Sequence, residues 1–176
     1  MRYAAFLRAV NLGKSRRVTN DRLKELFEEA GAEEVAPFRT SGNVVFEASR
    51  NLASGLEKHL EKALGHEMLI FLRTDGEVSE IAAAEPFPAK EVERSKGKLQ
   101  VVLFDKKPTA GVKKKALALA TDRDRLAFGK RELFWLPSGG YMEADLDRKA
   151  LDELVGPTTV RTKGTVDALA AKYFAE

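Results

Sequence analysis

The order of apolar runs and helical patterns in the first 74 residues constrains the fold of this chain more than any other feature. Residues 3–10 form an apolar run of strand length, and residues 23–30 carry apolar side chains at helical spacing. Two short apolar pieces then flank Ser41-Gly42-Asn43, which is typical of the turn of a β-hairpin. A stripe of leucines over 52–64 predicts a second helix, and residues 66–74 predict a buried strand.

This β-α-β-β-α-β order is typical of the ferredoxin-like unit, an α+β arrangement with an antiparallel sheet and both helices on one face. We predict that residues 1–74 form this half, and that 75–98 form a short helix and a linker rich in proline and charge. Residues 99–176 predict a strand, a helix, a hairpin, a helix and a terminal helix. We therefore expect a second, similar α+β half, without a recognisable sequence repeat.

The composition limits the classes of protein to which the chain can belong. Hydrophobic residues make up 44% of the 176 residues, enough for a core, and the formal net charge is only +3. The chain has no cysteine, which excludes disulfides, thiolate nucleophiles and cysteine-ligated zinc. No apolar run approaches the ~18–20 residues of a membrane span, and the first residues do not resemble a secretory signal. We expect a cytoplasmic protein that does not enter a membrane.

A run of uncompensated positive charge follows the first strand. No acidic residue occurs among the first 20, and a loop between a strand and a helix offers backbone N–H groups to an anion. Glycine permits close approach of a ligand, and arginine binds phosphate through two hydrogen bonds. The loop has neither a Walker nor a dinucleotide-binding glycine pattern. The alternative is a solvated basic loop, or one that pairs with the acidic helix after it. The predicted site comprises Asn11, Gly13, Lys14, Arg16 and Arg17.

Three further groups are candidates for the same anion site. Arg8 interrupts the apolar first strand, so it lies on an exposed face, pairs with a carboxylate, or points into a cleft. Ser41 and Asn43 belong to the predicted hairpin turn, where turn chemistry alone also explains them. Arg161 and Thr165 precede the last helix, for which Thr165 is a reasonable N-cap. The hairpin tip and the end of the first strand are expected at the same end of the sheet.

Three segments resemble a known family when they are taken together. The sequences LRAVNLGK, TSGNVVF and TTVRTKGTV occur in an order that is similar to the bacterial domain-of-unknown-function 1697 family, over nearly the whole chain. The resemblance implies a ferredoxin-like α+β fold. It implies no particular activity.

The sequence supports three hypotheses about function. The first is a binding protein for a phosphate-bearing ligand, either a nucleotide or RNA, held by the basic loop. The second is an enzyme for small phosphorylated or acidic substrates, in which Glu143 or Asp145 acts as a base or holds Mg²⁺. The third is a homodimeric interaction protein. Neither histidine has the spacing of a metal ligand, so we predict no resident metal and no cofactor other than this Mg²⁺.

Overall fold

The computed structural model describes residues 1–9, 18–39, 42–96, 98–138 and 144–175. The chain divides into two compact units. The first unit comprises Met1–Ser79 with Tyr173–Glu176, and the second comprises Glu80–Lys172. Each unit contains one four-stranded antiparallel sheet, so the predicted α+β class is confirmed.

The first unit has the predicted element order and the strand order β2-β3-β1-β4 of a ferredoxin-like sheet. Every neighbouring pair of its strands is antiparallel. The elements, with the helix that follows the last strand, are β1 (Arg2–Ala9), α1 (Asn20–Glu29), β2 (Glu33–Phe38), β3 (Asn43–Glu47), α2 (Arg50–Leu64), β4 (Met68–Thr74) and α3 (Asp75–Ala83).

Local sequence determines where the first two helices begin and which face they bury. The side chains of Thr19 and Ser49 accept hydrogen bonds from the backbone at the starts of α1 and α2. The predicted leucine stripe of α2 buries Leu56 and Leu60 against the sheet core. Gly65 then ends α2 in the left-handed conformation, with φ of 74°, which glycine adopts at low cost.

The second unit has the strand order β6-β7-β5-β8, which is the topology of the first unit again. Its elements are α4 (Ala89–Arg94), β5 (Gln100–Phe104), α5 (Ala110–Leu117), β6 (Asp124–Phe128), β7 (Glu132–Pro137), α6 (Arg148–Val155), β8 (Thr158–Thr162) and α7 (Lys163–Tyr173). The sequence analysis did not predict strand β8. Its residues are mostly threonine and arginine, and pairing with β5 makes them a strand.

A short repeat joins the last strand of each unit to the helix after it. Arg-Thr-x-Gly-x-Val occurs at 73–78 and again at 161–166, which corrects our expectation that no repeat exists. The N–H of Glu77 donates to Thr74 Oγ1 at 3.4 Å, and the N–H of Thr165 donates to Thr162 Oγ1 at 3.2 Å. The prediction that Thr165 caps the last helix was therefore wrong, because Thr162 is the capping residue.

We expect Thr74→Ala and Thr162→Ala each to lower the free energy of unfolding by about 1 kcal/mol, because each removes a side chain that satisfies the first turn of a helix. Ser79→Ala is the control, because Ser79 is an exposed hydroxyl within α3 and its loss should change stability by less than about 0.5 kcal/mol. Urea unfolding measures all three variants. Equal losses in the three would contradict the capping role.

Candidate anion-binding site

The end of β1 and the β2–β3 hairpin lie at the same end of the first sheet. Strand β3 lies between β1 and β2 and is antiparallel to both, so β1 and β2 run in the same direction. The N–H of Leu7 donates to the carbonyl of Gly42 at 2.9 Å, and Phe6 is opposite Asn43 in register. The predicted proximity of these two segments is therefore confirmed.

The start of α1 lies at this end of the sheet as well. Asn20 Nδ2 donates to the carbonyl of Arg39 at 2.7 Å, which ties the first turn of α1 to the residue after β2. The basic segment 10–17 joins β1 to α1, and the described residues on either side of it lie next to the hairpin. Most of the predicted site residues lie outside the described residues, and their roles stay predictions: Asn11, Gly13, Lys14, Arg16, Arg17 and Ser41.

Two exposed arginines belong to this end of the first unit. Arg8 is exposed on β1, opposite Leu69 of β4 in register. Arg39 is also exposed, and the sequence analysis missed it. Its φ of 58° is uncommon for a side chain of this size, and its guanidinium lies 5.1 Å from the centroid of the Phe38 ring.

Asn43 and Gly42 have roles in the hairpin that the structure explains directly. Asn43 is fully buried, and its Nδ2 donates to the carbonyl of Phe38 at 3.0 Å across the turn. Gly42 has a φ of 74°, which favours glycine. Both observations agree with the turn-chemistry alternative. A direct contact between Asn43 and a ligand stays a prediction.

Arg161 and Thr165 are buried groups of the second unit. Arg161 Nη1 donates to Thr159 Oγ1 at 2.8 Å and to the carbonyl of Val160 at 2.9 Å. Burial lowers the pKa of Arg161 to about 10, because removal from water disfavours the charged form. The hydroxyl of Thr165 lies 2.8 Å from Thr162 Oγ1. Their participation in the anion site stays a prediction.

The carboxylates near α6 have structural partners. Asp147 caps α6 by accepting from the N–H of Ala150 at 3.0 Å. Asp145 lies 3.8 Å from the Arg123 guanidinium. Glu143 lies outside the described residues. Among the residues that the structure describes, no group of three or more histidine or acidic side chains could hold a metal ion.

A buried carboxylate that the sequence analysis missed organises the second unit. Asp124 is fully buried, and its Oδ1 accepts the indole N–H of Trp135 at 2.7 Å. Its Oδ2 accepts from the hydroxyl of Thr121 at 2.7 Å and from the N–H of Asp145 at 3.0 Å. Trp135 and Phe134 are also buried. The three bonds make Asp124 a structural anchor of the β6–β7 hairpin.

The comparisons with known proteins place the chain in a family. Residues 1–134 match the family described as a protein of unknown function, DUF1697. The chain belongs to the DUF1697 family. This DUF1697 protein is similar to the conserved bacterial protein SP0830 from Streptococcus pneumoniae, with a TM-score of 0.75 over 97% of each chain and 21% sequence identity. That likeness shows the fold. Among curated proteins no match is found.

The family match includes the β1 strand, the basic segment and the β2–β3 hairpin, which together form the candidate site. It ends within β7, so Arg161 and Thr165 lie beyond it. Within the described ranges of this DUF1697 protein, each helix is too short or too polar to cross a bilayer.

Proposed function

We propose that this DUF1697 protein binds a phosphate-bearing ligand, a nucleotide or RNA, at the end of the first sheet where β1 meets the β2–β3 hairpin. One observation carries the proposal. The hydrogen bonds from Leu7 to Gly42 and from Asn20 to Arg39 hold the described residues on either side of the basic segment beside the hairpin. A positive segment held between a strand end and a helix start is suited to an anion.

The charge of this region favours a phosphate over a neutral ligand. Arg8 and Arg39 are exposed there, and segment 10–17 adds three cations and no carboxylate. Guanidinium groups bind phosphate through paired, charge-assisted hydrogen bonds. The next cation along the chain, Arg22 of α1, lies 3.5 Å from Glu25 and 3.7 Å from Glu29, and so pairs with glutamates of its own helix.

The dependence of affinity on salt distinguishes RNA from a nucleotide. Single-stranded RNA that places about four phosphates on these cations should lose about 50-fold in affinity between 50 mM and 200 mM salt, because each neutralised phosphate releases counterions. ATP, a compact ligand, should lose much less. Fluorescence anisotropy with a labelled oligouridine measures the first, and calorimetry with ATP measures the second.

Arg22→Ala is the matched control for these titrations, because Arg22 is a cation of α1 that already pairs with glutamates. It should leave both affinities within about twofold of the wild type. Binding of neither probe at 50 mM salt, or an equal loss in Arg22→Ala and Arg8→Ala, would contradict the proposed site.

A further inference from the structure

Each unit has a hollow at the same place in its topology. In the second unit, a cleft of about 310 Å³ lies where β6 begins and β7 ends, near the register pair Asp124 and Pro137. In the first unit, a hollow of about 410 Å³ lies where β2 begins and β3 ends, near the register pair Glu33 and Glu47. The two sheets share one strand order, so the two hollows are equivalent positions of the same fold.

The two hollows differ in their charged side chains. Glu33 and Glu47 are the charged side chains that line the hollow of the first unit. Three arginines line the cleft of the second unit, against two carboxylates, and these five residues are Arg94, Arg123, Arg125, Glu91 and Asp122.

The arginines of the cleft are held in place to different degrees. Arg125 forms an ion pair with Glu91, and its guanidinium lies 5.0 Å from the centroid of the buried Phe87 ring. Both contacts orient this guanidinium before any ligand arrives. Arg94, on α4, is exposed and has no ion pair among the described residues. Arg94 is therefore the cation of the cleft that an incoming anion neutralises most directly.

Hydrogen bonds connect the elements that line the cleft, and one lining residue, Leu136, is apolar. The hydroxyl of Ser95, at the end of α4, donates to the carbonyl of Pro137 on β7. The N–H of Ser138 donates to the carbonyl of Arg123 at 2.6 Å, which joins the ends of β6 and β7. Leu136 lines the cleft and is 4% exposed, so it offers a small apolar surface beside the guanidinium groups.

We propose that this arginine cleft binds a small organic anion, namely a phosphate monoester or a carboxylate attached to an apolar group. The guanidinium groups of Arg94 and Arg125 hold the anion, and Leu136 contacts the apolar part. The volume is at the lower end of the range for small-molecule sites, which suits a ligand of about the size of a mononucleotide or smaller. The proposal is independent of the proposed function, because the cleft belongs to the second unit.

Calorimetric titration of the full chain with phenyl phosphate tests this site, with benzoate as the carboxylate probe. Arg94→Gln and Arg125→Gln should each lower the affinity for phenyl phosphate at least tenfold. Arg148→Gln is the matched control, because Arg148 is an exposed arginine that also lies over an aromatic ring, 6.0 Å from Trp135, and does not line the cleft. Its affinity should equal that of the wild type.

Several results would overturn the proposal. The first is that the wild type binds neither phenyl phosphate nor benzoate at a probe concentration of about 10 mM, where any useful affinity would be detected. The second is an equal loss of affinity in Arg148→Gln and Arg94→Gln. Inorganic phosphate that binds as tightly as phenyl phosphate would also overturn it, because Leu136 would then contribute nothing. Arg94 has no ion pair among the described residues, so Arg94→Gln should fold normally and keep the test decisive.

Discussion

Replacement of Asp124 by alanine is expected to lower the free energy of unfolding by about 3 kcal/mol, because the substitution leaves buried donors without an acceptor. The wild-type carboxylate accepts from Trp135, Thr121 and the backbone of Asp145. Water cannot replace it easily, since Asp124 is fully buried and Trp135 is 1% exposed. Urea unfolding, followed by the fluorescence of Trp135, measures the loss of stability. Trp135 is the single tryptophan of the chain, so the signal comes from the partner of the lost hydrogen bond.

Two further variants separate the hydrogen bonds from a general loss of charge. Asp122→Ala removes an exposed carboxylate two residues away and should change stability by less than about 0.5 kcal/mol. Asp124→Asn keeps one acceptor oxygen and should lose less than Asp124→Ala. A loss below about 1 kcal/mol in Asp124→Ala would show that the three bonds do not anchor the hairpin.

The double variant Arg8→Ala/Arg17→Ala is expected to abolish the stabilisation that a phosphate-bearing ligand confers. A ligand at 100 times its dissociation constant stabilises the wild type by about 2.7 kcal/mol, because it binds the folded state alone. Removal of two guanidinium groups from the strand end should bring that gain close to zero. A thermal-shift screen with nucleotides, phosphosugars and short RNAs, each with and without Mg²⁺, identifies the probe and measures the gain.

The control for this experiment removes two arginines from the opposite end of the first sheet. Arg2 is at the start of β1. Arg50 is the first residue of α2, which follows the end of β3, and the end of β3 pairs with the start of β1. Arg2→Ala/Arg50→Ala has the same change of net charge as the first double variant, so it should retain the full ligand-induced gain. A gain of wild-type size in Arg8→Ala/Arg17→Ala would reject the proposed site.

The first unit could be predicted from the sequence because each element has a clear period. The leucine stripe of α2 and the apolar run of β4 distinguish helix from strand by spacing alone. Strand β8 lacks such a signal, since Thr158, Thr159 and Arg161 read as a polar loop. They are buried because β8 pairs with the apolar β5, which is distant in the chain.

The candidate site could be predicted in part for a similar reason. The topology of a ferredoxin-like unit brings the end of β1 and the hairpin together, and this follows from element order. Arg39 was missed because its left-handed backbone, with φ of 58°, is a conformation that glycine or asparagine usually signals in a sequence, and arginine does not. Asp124 was missed because a carboxylate near a turn is expected to be exposed. Its hydrogen-bond partner Trp135 is 11 residues away in the chain, so local sequence does not indicate the contact.

Residue-resolved NMR titration of the full chain with the ligand identified in the screen tests the proposed phosphate site most directly. The proposal predicts that the amide signals of Leu7, Arg8 and Gly42 shift together, with those of segment 10–17, at ligand concentrations near the dissociation constant. Shifts confined to the second unit, or spread evenly over the exposed lysines and arginines of the chain, would contradict it.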